Sequence, residues 1–151
     1  MRDFKSVFKE LENNLRRAKW FTGDWDIYNR GVYMQVYKRN WFNDNQGGIH
    51  FETYVEDYEL KDKLVPIHMH VEDEFPAQEE FIRKFTETAR RTIEGWKGYK
   101  VYGTGYLVCQ RKLPLDPQKL ASSLLEEFGK LQQLSAAIDQ TIGQVVGADE
   151  R

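Results

Sequence analysis

The clearest alternation of apolar and polar positions runs from Ile49 to Val71, IHFETYVEDYELKDKLVPIHMHV. Ile49, Phe51, Thr53 and Val55 share one parity, and His50, Glu52, Tyr54 and Glu56 the other. Further on, Val65, Ile67, Met69 and Val71 alternate with Pro66, His68, His70 and Glu72. Period-two alternation predicts half-buried strands with one face on a core. The polar DYELKDKL between them reads as the turn of a hairpin. Pairing Val55 with Val65 sets His50 across from His70 and Glu52 across from His68. A one-residue slip moves the whole apolar set off the core, so the pattern protects this register.

The rest of the chain supplies the partners for that core. Phe4, Val7, Phe8, Leu11, Leu15 and Ala18 follow a 3.6 period and predict a helix over 3–18, with Asp3 as N-cap. DWDIYNRGVYMQVYKRNWF reads as two short strands around an Asn29-Arg30-Gly31 turn, followed by a polar loop at 43–48. EDEFPAQEEFIRKFTETARRTIEGW predicts a helix with Pro76 in its first turn. Its inner stripe is Phe81 or Ile82, then Phe85, Ala89 and Ile93. GYKVYGTGYLVCQRKL reads as one long strand, bent at Gly103 or Gly105. Asp116 and Pro117 open a last helix over 117–146, striped by Leu124, Phe128, Leu131, Ile138, Ile142 and Val145, with Ser135 in the one missing apolar slot.

At 1.5 Å per residue that helix would be roughly 45 Å long. Two readings follow: a helix lying diagonally on the sheet, or a short coiled coil with a second copy. The expected fold is α+β, with a mainly antiparallel sheet of about five strands and N-terminal, middle and long C-terminal helices packed on one face. One domain is expected over residues 1–151.

Composition narrows the function classes. A chain of 151 residues can bury a core without staples. No apolar run approaches the roughly 18 residues of a membrane span. The charged, amphipathic N-terminus lacks the apolar centre of a secretory signal. A lone Cys109 fits a reducing compartment, so a cytoplasmic location is expected. The formal net charge of −2 gives no bulk attraction to duplex nucleic acid.

Three candidate sites emerge. His50, His68, His70 and Glu52 share one face, and opposed side chains in a sheet stand about 4.5–5.5 Å apart at Cβ. Imidazoles with a carboxylate suit zinc or another first-row divalent ion, with a position left for water. The spacing of His68, His70 and Glu74 resembles the first metal motif of cupins. The flanking glycines and a second histidine motif are missing, and a helix is predicted at Pro76, so the chain is not assigned to that family. Asp44 with Glu59-Leu60-Lys61 resembles the acid…acid-x-Lys set of restriction-type nucleases, but falls in a predicted turn where mixed charge is ordinary. Gly103-Thr104-Gly105 lacks the ending of a phosphate loop, and Cys109 has no paired histidine in evident reach.

Aromatics make up 14% of the chain. Tyr33, Tyr37, Tyr54, Tyr102 and Tyr106 are expected beside the histidines on an open sheet face, offering large area with polar tips. The first functional reading is therefore a small binding or interaction protein without catalysis of its own. It would form a homodimer or dock another protein or a small ligand through this face, the long last helix, or both. The second is a metal-binding protein or metal-dependent enzyme using His50, His68, His70 and Glu52. The third is a nucleic-acid-processing accessory protein stacking bases on the tyrosines with help from Lys38, Arg39, Arg111 and Lys112.

Overall fold

The computed structural model describes residues 3–146. Helix α1, Phe4–Arg16, starts at Asp3, whose carboxylate accepts the Ser6 N–H at 2.8 Å. This satisfies one of the orphan donors that every helix start carries. Strands β1 (Trp25–Asn29) and β2 (Tyr33–Lys38) form the expected hairpin. Gly31 adopts φ +93° in the turn, and Asn29 Oδ1 accepts its N–H at 2.8 Å.

Strands β3 (Ile49–Tyr54) and β4 (Leu64–Val71) pair in the register that the alternation predicts, His50 opposite His70 and Glu52 opposite His68. Their connection is not a plain turn. Asp57–Asp62 is a short helix, α2. Glu59 accepts the Glu56 N–H at 2.9 Å, and Lys63 ends the helix in the left-handed conformation at φ 59°. A glutamate three residues after the N-cap is a helix-start signature, and it outweighs the polar composition that suggests a loop.

Helix α3, Gln78–Glu94, buries Phe81, Ile82, Phe85, Ala89 and Ile93 as expected. It begins two residues after Pro76, because Ala77 is left-handed at φ 61° and breaks the entering chain. The long strand expected next is a hairpin instead, β5 (Lys100–Thr104) and β6 (Leu107–Pro114). Gly105, at φ +67°, leads its two-residue turn, a position where such hairpins favour glycine. The sheet thus has six strands rather than about five, in the order β1-β2-β3-β4-β6-β5, with antiparallel neighbours throughout.

The last helix is also divided. Helix α4 (Leu120–Leu131) and helix α5 (Ser135–Val145) flank a 3-10 turn at Gln132–Leu134. Helix α4 packs on α1, and α5 packs on α3. One straight helix is not used where two differently placed neighbours each offer an apolar stripe. Ser135, the missing apolar slot, opens α5. Leu124, Phe128, Leu131, Leu134 and Ile138 are buried within the chain's own core. The apolar stripe that suggested a coiled coil is therefore covered by the monomer itself.

The apolar parities of β2, β3 and β4 (Met34, Val36, Ile49, Phe51, Val65, Ile67, Met69, Val71) join the helices and Trp25, Trp41 and Cys109 in one core. Among the described residues no helix is long and apolar enough to cross a membrane.

Candidate metal centre

On the opposite parity the histidines are not on an open face. His50 is 0% exposed, His68 1%, His70 7% and Glu52 4%. The expectation of an exposed histidine surface is corrected by what lies over it. The loop after β2 brings Asn43 against His50, and the tyrosines roof the strands. Rings run in a row across the sheet. Tyr33 stacks on Tyr54, Tyr54 meets His68 edge-on, His68 stacks on His70 at 3.9 Å, and His70 meets Tyr106 edge-on at 4.9 Å. A bulge between Met69 and His70 puts Val108 in β6 as an unmatched residue. Bulges bend and twist a strand locally and re-aim its side chains. Tyr37 packs against the margin of the core, and Tyr102 carries the Lys100 ammonium over its ring. Neither has a ring or hydrogen-bond contact with the histidines among the described residues.

Four side chains point their donor atoms at one spot: His50, Glu52, His70 and Glu72, all within 4.8 Å of one another. Taken in turn they close a ring of alternating nitrogen and oxygen. His50 Nε2 to Glu52 Oε1 is 3.4 Å, Glu52 Oε2 to His70 Nδ1 is 3.3 Å, His70 Nδ1 to Glu72 Oε2 is 3.0 Å, and Glu72 Oε2 to His50 Nε2 is 3.2 Å. A metal with bonds of about 2.0–2.2 Å spaces neighbouring ligand atoms about 2.8–3.6 Å apart, from octahedral to tetrahedral geometry. The ring lies within that interval. Glu72 replaces His68 in the expected set. Its signal was in the sequence, since it follows His70 by two on the same parity.

His68 serves the site from behind. Its Nε2–H donates to Glu52 Oε2 at 2.6 Å, and its Nδ1 lies 3.1 Å from Gln110 Oε1. The Tyr33 hydroxyl donates to Glu52 Oε1 and accepts from Gln35 Nε2 at 2.7 Å. Both Glu52 oxygens are thereby held while each keeps a lone pair toward the centre. His50 is oriented in the same way. Asn43 donates from Nδ2 to Gln35 Oε1 at 2.8 Å and accepts the Gly48 N–H at Oδ1. Its carbonyl end thus faces His50 Nδ1, 2.9 Å away. The proton of neutral His50 therefore sits on Nδ1, and the Nε2 lone pair points between two carboxylates. Gln35 Nε2, at 3.4 Å, is too far to satisfy that lone pair well. Gln35 shares the parity of Tyr33 and could be read from the sequence. Asn43, in an irregular loop, could not.

The electrostatics favour a cation at the centre. Burial pushes Glu52 toward neutrality, but hydrogen bonds from His50, when its imidazole is protonated, and from His68 outweigh it and hold the carboxyl well below its usual range. Glu72 is likewise drawn down to about 2 against burial by His50 and His70. Burial works against the His50 imidazolium, yet the bonds to Glu52 and Glu72 raise its pKa. His70 moves the other way, mainly through burial. Burial and Glu52 also raise the Tyr33 hydroxyl, and burial lifts Tyr54 to about 12, so both stay protonated.

The other candidates dissolve into structure. Glu59 caps α2, and Glu74 lies against Gly47 rather than at the centre. Cys109 is buried in the core, its thiol raised to about 12 by burial. Lys38 pairs with Asp139, Arg39 with Asp26 and Arg111 with Glu127. A cleft of about 390 Å³ between Arg39, Phe42 and α5 is lined by no histidine and has no comparable gathering of donors among the described residues. Comparison with known protein families, with curated proteins and with solved structures finds no match.

Proposed function

We propose that this chain is a metal-binding protein whose ion, a divalent first-row transition metal, is held by His50, Glu52, His70 and Glu72. The closed ring of two imidazole nitrogens and the oxygens of two carboxylates carries the reading. A buried and a half-buried carboxylate this close together favour positive charge between them, and a divalent ion supplies it while the imidazoles stay neutral. The mixed donor set suits zinc, manganese, iron, cobalt or nickel rather than calcium or magnesium. His68, Tyr33 and Asn43 hold the ligands from behind, as the outer partners of metal sites do. With four protein ligands, an ion that prefers five or six keeps positions for an exogenous molecule, which is the requirement for metal-dependent catalysis.

The test is metal analysis of the purified protein and melting with and without each ion. An ion present at 100 times its Kd stabilises the folded state by about 2.7 kcal/mol. In a protein of this length that raises the Tm by about 5–11 °C. No bound metal and no shift with any of these ions ends the reading.

A second reading, an interaction protein or homodimer, draws on a different part of the surface. Tyr58, Leu60 and Leu64 are exposed around α2 and the start of β4, at the end of the sheet away from Glu72. Exposed apolar groups gathered in this way are typical of contact surfaces. Light scattering over a concentration series decides it, and a monomer at every concentration removes the homodimer.

A further inference from the structure

We infer that the centre takes a small uncharged oxygen-donor molecule as its exogenous ligand, of the class of water, an alcohol or carbonyl group, or dioxygen, and discriminates against oxyanions such as carboxylates and phosphates. The inference rests on the metal reading above and concerns what binds the ion beside the protein.

Charge decides the class. A divalent ion between the Glu52 and Glu72 carboxylates makes a centre of zero net charge. Apart from the His68 imidazole, which is already engaged by Glu52, the groups that surround it carry no charge: Tyr33, Gln35, Asn43 and Gln110, with Tyr54 and Tyr106 in the ring row. Among the described residues no lysine or arginine is paired with either carboxylate. Sites that bind phosphate or carboxylate substrates supply such cations, because an anion leaving water needs a partner to replace its hydration. Here an arriving anion would make the buried site net negative with nothing to offset the desolvation. An uncharged donor meets no such penalty.

Access decides the size. His50 is fully buried, and the side chains of Glu52 and His70 are 5% and 9% exposed. Only Glu72, at 28%, reaches solvent appreciably. Beside it stands Tyr106, 55% exposed, with its ring against His70. Solvent therefore reaches the site at the end of β4, at Glu72 near Tyr106, while the other three ligands are enclosed, which favours a small ligand over a large one.

The full chain is loaded with Co²⁺, whose visible bands report its ligands, and titrated with acetate and with inorganic phosphate. The same protein loaded with Fe²⁺ without oxygen is exposed to nitric oxide, a small uncharged probe that yields a coloured adduct at an open position. The expected result is an adduct with nitric oxide and unmoved cobalt bands with both anions. Tyr106→Lys keeps all four ligands and adds the missing cation at the opening. It should strengthen acetate binding by up to about fivefold, the factor that corresponds to one exposed charge pair. Cobalt bands shifted by acetate or phosphate in the unaltered protein overturn the inference and leave the metal reading standing. A loaded iron centre that forms no adduct also overturns it, because its coordination is then closed. Failure to load either ion removes the metal reading, and this inference with it.

Discussion

Replacing Asn43 tests whether the centre depends on its outer support. Asn43→Ala removes the group that sets the proton on His50 Nδ1, and strands three partners: His50 Nδ1, the Gly48 N–H and Gln35 Oε1. Each buried polar group left without a partner costs about 1–3 kcal/mol. A water entering the vacated space recovers part of that, so a net loss of about 2–4 kcal/mol is expected, a Tm lower by about 4–16 °C. Metal affinity falls separately, since His50 can then turn or adopt the other tautomer. Loss of an outer partner of this kind weakens binding about 10–100-fold, or about 1.4–2.8 kcal/mol. Asn43→Asp keeps the acceptor for His50 and Gly48, and adds charge that makes the imidazole a better ligand. It should restore the affinity without fully restoring the stability, because Gln35 Oε1 then faces an oxygen. Competition with a coloured chelator gives the affinity, and melting of the metal-free protein gives the stability. Equal metal affinity for the Ala variant and the unaltered protein, with only the Tm changed, would refute the reasoning.

Other predictions separate roles within the site and the fold. His70→Ala should abolish stoichiometric metal binding, whereas His68→Gln should weaken it only about 10–100-fold, as measured by the same chelator competition. Metal affinity should fall as the pH drops, by about tenfold per unit once a ligand imidazole must release a proton, and titration calorimetry between pH 8 and 5.5 reads the slope. The sign follows from His50. Its raised pKa means that the proton stabilises the metal-free fold below the unfolded value near 6.5, and that this contribution is lost as pH rises through the folded value. In the fold, Glu59→Ala removes the acceptor of the Glu56 N–H and should cost about 0.5–2 kcal/mol in denaturant unfolding. Gly105→Ala meets no atom within 4 Å but must hold φ +67°, a backbone cost of about 1–2 kcal/mol.

The hairpin at the centre of the fold was readable because burial on one side enforces period two, and period two fixes both register and face. His50, Glu52, His68 and His70 therefore fall where the alternation sets them. Which donors converge was not readable from parity alone. Glu72 lies just past the end of β4, and rotamers decide that it faces His70 while His68 turns to Glu52. The covering of the face escaped for a related reason. Alternation reports that a face is polar, and it does not separate a face bathed in water from one roofed by tyrosines and an irregular loop. The two misread connections share another cause. Gly103 and Gly105 served equally as a bend or a turn, and DYELKDK is polar whether it forms a loop or a single helical turn or two. The division of the last helix depended on neighbours far away in the sequence, on α1 for one half and α3 for the other.

All four donors of the centre come from a single hairpin and its end, His50 through Glu72. The chain segment that must close to bring them together is short, and the entropy of closing a loop grows only with the logarithm of its length. The partners that orient them come mostly from elsewhere: Tyr33 and Gln35 from β2 and Asn43 from the following loop. His68 is from the hairpin itself, with Gln110 of β6 behind it. On the metal reading, the hairpin would carry the grasping atoms, and the strand and loop before it most of what orients them. Substitutions in β3 and β4 would then change whether an ion is held, and substitutions in β2 and the loop after it would change which ion is preferred.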